Sequence, residues 1–143
     1  MENDSIKLAK LLFHEYAVTL YCKKGSFIHD KLNSQTSVNY VPIGFLSRKF
    51  SLSMLFSVRK EIIKRKIKHV VFFGASELKT LYFSFLGLDL NLIVRHGTTK
   101  TKPKTDWFHQ IIYSSVNTHV ALSKHLLNNV KMIVPDIHGV IYH

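Results

Sequence analysis

The chain has 143 residues, of which 46% are hydrophobic, and this size and composition fit one folded domain and exclude a disordered protein. Twenty Lys and Arg against nine Asp and Glu give a formal charge of +11, which favours partners rich in negative charge. No apolar run approaches the ~20 residues that a membrane-spanning helix needs, and the single cysteine excludes an internal disulfide. We therefore expect one cytoplasmic domain over residues 1–143.

The hydrophobic pattern predicts helices and strands in alternation. The elements expected in the first half are a helix over 5–15, a strand over 17–22, a short helix over 26–32, a strand over 38–42 and a long helix over 51–68. In the second half we expect strands over 69–73, 91–94, 119–122 and 132–135, with helices over 77–86, 106–113 and 124–129. Such alternation is typical of a mainly parallel sheet covered by helices, so we predict a Rossmann-like three-layer α/β/α sandwich.

The long predicted helix carries a basic face made by Lys60, Lys64, Arg65 and Lys68. One interpretation is an ordinary solvated surface helix, and the other is an amphipathic helix that lies on anionic lipid. Arg59 falls within the apolar arc of the same helix, so we expect its side chain to extend along the surface to reach water.

Residues with binding chemistry follow three of the predicted parallel strands. In open α/β sheets ligands bind beyond the carboxyl ends of the strands. The richest of these ends has His96 as the candidate catalytic residue, since an imidazole can bond a sugar hydroxyl or a phosphate. The candidate substrate-binding residues are Gly74, Ser76, Arg95, Gly97, Thr98, Lys100, Lys102, Lys104 and Ser123. The alternative is that His96 only ends a strand, that Ser76 caps a helix and that the lysines form a solvated loop.

The remaining motifs are uninformative. The other histidines lack the spacing of a zinc site, so we expect no metal. The chain contains no phosphate-binding P-loop and no G-x-G-x-x-G, so we expect no bound cofactor, and it contains no G-x-S-x-G that would indicate a serine nucleophile.

The order of these segments resembles the N-terminal half of a family 4 glycosyltransferase of the GT-B architecture. HVVFFGAS is similar to the fourth strand of that family and its ligand-facing loop, and LIVRHGTT to the strand that ends in a histidine. IIYSSVNTHVALSKHLLNN is similar to the segment with a strand, a serine and a short helix, and IVPDIHGVIYH to the stretch that leads into the second domain. MENDSIKLAKLLFHEYAVTLYCKKG resembles the first helix and second strand, with Glu2 on the Glu of the Gly-Gly-x-Glu stretch.

The resemblance implies transfer of a sugar from a nucleotide-sugar donor to a glycan or lipid-linked, lipopolysaccharide-type acceptor, with retention at the anomeric carbon. His96 would contact the transferred sugar, and the domain would bind the acceptor at the inner face of the cytoplasmic membrane. The first strand and the Gly-Gly loop of the family would precede Met1, and the donor-binding domain is absent as well. We therefore expect a fragment or truncated product that is inactive alone, with a vacancy or exposed edge in its sheet that allows a homodimer.

The alternative function is a non-catalytic basic module that binds anionic membrane lipid or nucleic acid through the basic helix and the Lys100–Lys104 loop. Nucleic acid is the less favoured of these partners, because the aromatic residues do not alternate with the basic runs. A degenerate α/β domain that serves only as a partner for another chain is a third interpretation.

Overall fold

The computed structural model describes residues 2–34, 38–43, 52–98, 106–134 and 140–142. These residues form six helices and six strands, and every strand pair is parallel. The predicted α/β class is confirmed, and the fold is compatible with a small Rossmann-like domain.

The described strands form two sheets, whereas we predicted one. The hydrophobic pattern identifies strands but not their neighbours, which depend on tertiary packing. The chain divides into two compact units, residues 1–54 and 55–143.

The first unit holds a two-stranded sheet and two helices. Its elements are α1 (Glu2–Leu12), β1 (Thr19–Lys23), α2 (Phe27–Asn33) and β2 (Asn39–Ile43). Strands β1 and β2 pair in register from Thr19↔Asn39 to Lys23↔Ile43. The core consists of five buried residues, which are Ile6, Ala9, Cys22, Leu32 and Val38.

The second unit holds a four-stranded sheet in the order β3-β4-β5-β6. Its strands are β3 (His69–Phe72), β4 (Asn91–His96), β5 (Thr118–Ala121) and β6 (Val140–Tyr142). Its helices are α3 (Leu52–Lys64), the first three residues of which belong to the other unit, α4 (Ala75–Phe85), α5 (Trp107–Ser114) and α6 (Lys124–Ile133). In β4 buried residues alternate with half-buried ones, because successive side chains of a strand point to opposite faces.

Two boundaries differ clearly from the sequence prediction. The first helix begins at Glu2 and not at Ser5, which lies buried inside it. The predicted strand over 132–135 is wrong where the structure describes it, since Met132 and Ile133 end α6. Val130 and Val134 are both buried, and their spacing of four residues continues the buried face of the helix.

Candidate functional site

The carboxyl ends of three parallel strands bring part of the predicted site to one edge of the second sheet. Gly74 follows β3, Gly97 and Thr98 follow β4, and Ser123 follows β5. Strands β3, β4 and β5 are direct neighbours, so these residues come from adjacent positions along that edge. Thr98 is exposed, and Gly97 and Ser123 are partly exposed. The edge therefore offers two hydroxyl groups beside a glycine backbone.

Two helices begin at the same edge, and their first turns differ in charge. Gly74 is the N-cap of α4, and Glu77 in that first turn accepts a hydrogen bond from Ser76 Oγ at 2.8 Å. Ser76 therefore lies inside the first turn and is not the cap. A Cβ atom added to Gly74 would stand 2.8 Å from Glu77 Oε2. The start of α4 thus already holds a carboxylate.

The start of α6 has the opposite character. Ser123 is its N-cap, and the Oγ atom accepts a hydrogen bond from the Leu126 backbone N–H at 3.2 Å. The first turn of α6 has no acidic residue, and Lys124 and His125 are exposed there. Partial positive charge at a helix start favours an anion, and Lys124 adds to it. Of these two helix starts, that of α6 is the one suited to a phosphate.

His96 lies at the carboxyl end of β4, as predicted, but its ring does not open onto the surface. The residue is 7% exposed and lies on the buried face of the strand together with Leu92 and Val94. The sequence predicts His96 as the catalytic residue at this edge, but in this structure its ring is turned into the core. The physical reason is the pleat of β4, which turns every second side chain, and hence His96, toward the core.

The ring of His96 contacts a second buried histidine that the sequence did not single out. His96 Nε2 lies 2.9 Å from Nδ1 of His119, and the two rings stack with centroids 5.2 Å apart and planes at 25°. His119 is on β5 and is only 1% exposed. Burial lowers the pKa of His119, and a hydrogen bond to the Tyr113 backbone opposes that shift. The contact depends on the register of β4 and β5, which no sequence pattern reveals.

The remaining predicted substrate-binding residues are more dispersed. Arg95 is on the face of β4 opposite His96, and its guanidinium lies over the ring of Phe73, 5.7 Å from the centroid. Lys100, Lys102 and Lys104 lie outside the described residues. The structure therefore separates Arg95 from His96 although they are adjacent in sequence.

The four residues of the predicted basic face, Lys60, Lys64, Arg65 and Lys68, divide into two pairs. Arg65 bonds Glu61 at 2.8 Å, and Lys68 lies 3.7 Å from Asp89. Lys60 and Lys64 are exposed, and they line a shallow groove that also includes the exposed Phe56 and Ile63.

Arg59 lines the same groove, but its Nη1 donates to the backbone carbonyl groups of Ser84 and Leu86 at the end of α4, at 3.2 and 2.7 Å. It therefore does not extend to water as expected; it bonds the last carbonyl groups of a neighbouring helix.

The part of the chain that the structure describes holds neither a metal-binding cluster nor a membrane-spanning helix. No group of three or more His, Cys, Asp or Glu residues in that part of the chain could hold a metal ion. None of the helices described there has the length and apolar character required to cross a membrane.

Comparisons of the chain with protein-family models, with curated proteins and with solved structures found no match. The resemblance to family 4 glycosyltransferases therefore stays a prediction, and the geometry of the carboxyl edge is what supports a function.

Proposed function

We propose that the chain acts as the acceptor-side domain of a retaining glycosyltransferase that moves a sugar from a nucleotide-sugar donor to a glycan or lipid-linked acceptor. The observation that supports the proposal most is the parallel order β3-β4-β5, which gathers Gly74, Gly97, Thr98 and Ser123 at one edge. In open parallel sheets that edge is where ligands bind. Hydroxyl groups at such an edge can exchange hydrogen bonds with sugar hydroxyls.

The charge of this edge favours an acceptor or donor that carries phosphate. The start of α6 combines the positive end of the helix dipole with Lys124 and has no acidic residue in its first turn. The start of α4 holds Glu77, so a phosphate would be repelled there. We assign the phosphate to the α6 side and the neutral sugar to the side of β4, where Thr98 is exposed.

The burial of His96 changes the role that the resemblance implies for it. Its ring is packed against His119, and Gly97 and Thr98 are the more exposed residues that follow it, so we propose that Thr98 and the Gly97 backbone contact the acceptor instead. His96 directly precedes Gly97, and its buried side chain holds the end of β4 in the core. In an active enzyme that contains this domain, we expect His96→Ala to reduce sugar transfer by displacing this loop.

Backbone amide NMR shifts during titration with a panel of glycans and sugar phosphates test the proposal. We expect shifts at Gly97, Thr98 and Ser123, and none at His69, Asn91 or Thr118, which begin the same strands at the opposite edge. Thr98→Val should weaken the shifts, and Thr118→Val is the matched control because it removes a hydroxyl from the amino end of β5. Shifts confined to the amino edge, or none with any ligand, would contradict the assignment.

A second candidate function, binding to an anionic membrane surface, is favoured by the groove on α3. Phe56 is 70% exposed and Ile63 55% exposed, and Lys60 and Lys64 flank them. Exposed apolar side chains beside lysines suit the boundary of an anionic bilayer, where the apolar groups enter and the cations meet the headgroups. This surface is compatible with sugar transfer to a lipid-linked acceptor.

Vesicle flotation with two double variants of equal charge tests the membrane surface. Lys60→Gln with Lys64→Gln removes two cations of the groove, whereas Arg65→Gln with Lys68→Gln removes two that already have carboxylate partners. At about 1 kcal/mol for each lysine near an anionic surface, the first pair should weaken binding roughly 30-fold. Equal loss in both variants would indicate attraction by net charge alone. Salt-sensitive oligonucleotide retention without vesicle binding would favour nucleic acid instead.

A further inference from the structure

Six large apolar side chains are exposed on three consecutive helices of the second unit. Their exposed fractions lie between 45% and 72%, and they are Phe56 and Ile63 on α3, Phe83 on α4, Leu86 at its C-cap, and Trp107 and Ile111 on α5. A contiguous apolar patch on a protein surface marks a place where another molecule binds. The question is therefore whether these side chains form one surface and what covers it.

Contacts between side chains join the three helices. Arg59 of α3 donates to the backbone carbonyl of Leu86, at 2.7 Å, where α4 ends. Phe83 of α4 stacks on Phe108 of α5, with ring centroids 6.4 Å apart. The ring of Phe108 in turn meets that of Trp107 edge to face, at 6.1 Å. The exposed residues of α4 thus have direct neighbours on both α3 and α5.

The exposed side chains of α4 and α5 point away from the sheet. Helix α4 links β3 to β4 and α5 links β4 to β5, so both crossovers step in the same direction along a parallel sheet. Right-handed crossovers then place both helices on one face of that sheet. Leu78 of α4 and Ile112 of α5 are fully buried, at 0% exposure. The exposed Phe83, Trp107 and Ile111 therefore belong to the outer side of this helical layer.

The charges around these side chains favour an anionic partner. Lys60 and Lys64 line the groove on α3 together with Phe56 and Ile63. Three carboxylates close to this surface in sequence already have partners, in the pairs Glu61–Arg65, Asp89–Lys68 and Asp106–His109.

The same charges argue against a protein as the partner. Lysine is depleted in the cores of protein–protein interfaces, and a formal charge of +11 repels a second copy of the chain. Tryptophan, in contrast, is enriched where a bilayer meets water. Apolar side chains, lysines and a tryptophan together fit an anionic lipid surface.

We propose that the outer surface of α3, α4 and α5 is one membrane-contact face that lies on an anionic bilayer, with Trp107 at the level of the headgroups. The apolar side chains enter the boundary between headgroups and acyl chains, and Lys60 and Lys64 meet the negative charge. The indole of Trp107 is apolar with one polar N–H group, which suits this boundary. The inference rests on the second candidate function and extends that contact from one helix to three.

Fluorescence of the full chain tests the face directly, because Trp107 is its single tryptophan. With vesicles of phosphatidylglycerol and phosphatidylcholine in equal amounts, we expect the emission to shift to shorter wavelength and acrylamide to quench it less. Lipids brominated close to the headgroup should quench it more than lipids brominated near the end of the acyl chain. Vesicles of phosphatidylcholine alone should leave the emission unchanged.

Two variants locate the contact on the helical layer. Leu86→Ser removes an apolar side chain of the face that is 49% exposed, and Met132→Ser is the matched control, 52% exposed on α6. Because about half of a leucine side chain leaves water on binding, Leu86→Ser should weaken vesicle binding roughly 5-fold. Met132→Ser should bind as the wild type does. Equal loss in both variants would overturn the assignment to this face.

The outcomes separate this inference from the function on which it rests. If the wild type floats with anionic vesicles but the emission of Trp107 does not change, α5 does not touch the bilayer. The three-helix face is then wrong, while binding through the α3 groove stands. If the chain does not float at all, both are wrong. A shift in emission that needs no vesicles and grows with protein concentration would show that a second copy covers the face, and would also refute the inference.

Discussion

Arg59 offers a direct test of how α3 holds the end of α4. The last four carbonyl groups of a helix lack partners within it, and Nη1 of Arg59 donates to two carbonyl oxygens at this end, those of Ser84 and Leu86. The test substitution is Arg59→Met, which keeps most of the aliphatic length of the side chain and removes its guanidinium. The matched control is Lys60→Met, since Lys60 is the next residue of α3 and is exposed.

The expected loss in the free energy of unfolding follows from the two hydrogen bonds of Arg59. A hydrogen bond to a charged group contributes about 1.5–3 kcal/mol when it is well shielded from water. The bond to Ser84 is partly buried and the bond to Leu86 is exposed, so we discount the sum for solvent. We expect Arg59→Met to lower the free energy of unfolding by about 1–3 kcal/mol and Lys60→Met by less than about 0.5 kcal/mol.

Urea denaturation followed by far-UV circular dichroism measures both variants. Arg59→Lys should fall between wild type and Arg59→Met, because one ammonium group cannot reproduce the fork of a guanidinium. Equal stability of Arg59→Met and Lys60→Met would refute the reasoning and show that this cation contributes no more than any exposed lysine.

Three further predictions concern helix ends and pH. Gly87 follows α4 with φ +71°, and an added Cβ would meet no atom within 4 Å. Gly87→Ala should therefore lower the free energy of unfolding by about 1 kcal/mol through backbone strain alone, and Gly87→Asn should lower it by less. Ser123→Ala removes the N-cap of α6 and should lower the free energy of unfolding by about 1 kcal/mol, measured by thermal or urea denaturation, whereas Ser123→Asp should retain the cap. Unchanged stability of the alanine variant would contradict the cap assignment. Burial lowers the pKa of His119, so the unfolded chain binds more protons than the folded chain below the ordinary histidine pKa of about 6.5. Stability is therefore complete above that pH and falls as the pH drops toward the folded pKa, and His119→Asn should lack this part of the decline in urea midpoints between pH 8 and 5.

The elements of the second unit were largely predictable because their signals are local. The apolar run at His69–Phe72 and the alternation at Asn91–His96 predict strands, and Asp106 and Ser123 are the N-caps that their residue types favour. The end of α6 was not predictable in this way, since Met132 and Ile133 suit a strand as well as a helix until the burial of Val130 and Val134 is known.

The candidate site was predictable in its location but not in its contacts. Residues that follow parallel strands share one edge whatever the register, so Gly74, Gly97 and Ser123 could be grouped from sequence. The His96–His119 contact requires the pairing Val94↔His119, and the partners of Arg59 require the position of α4 beside α3. Both are consequences of tertiary packing, which a hydrophobic pattern does not contain.

The single thiol of the chain provides a selective reporter of motion in the first unit. Cys22 lies in that unit's core at 5% exposure, and burial raises the pKa of its thiol, so alkylation must wait for the core to open. The second unit contains no cysteine. The rate of labelling at Cys22 therefore reports how often the core of the first unit opens.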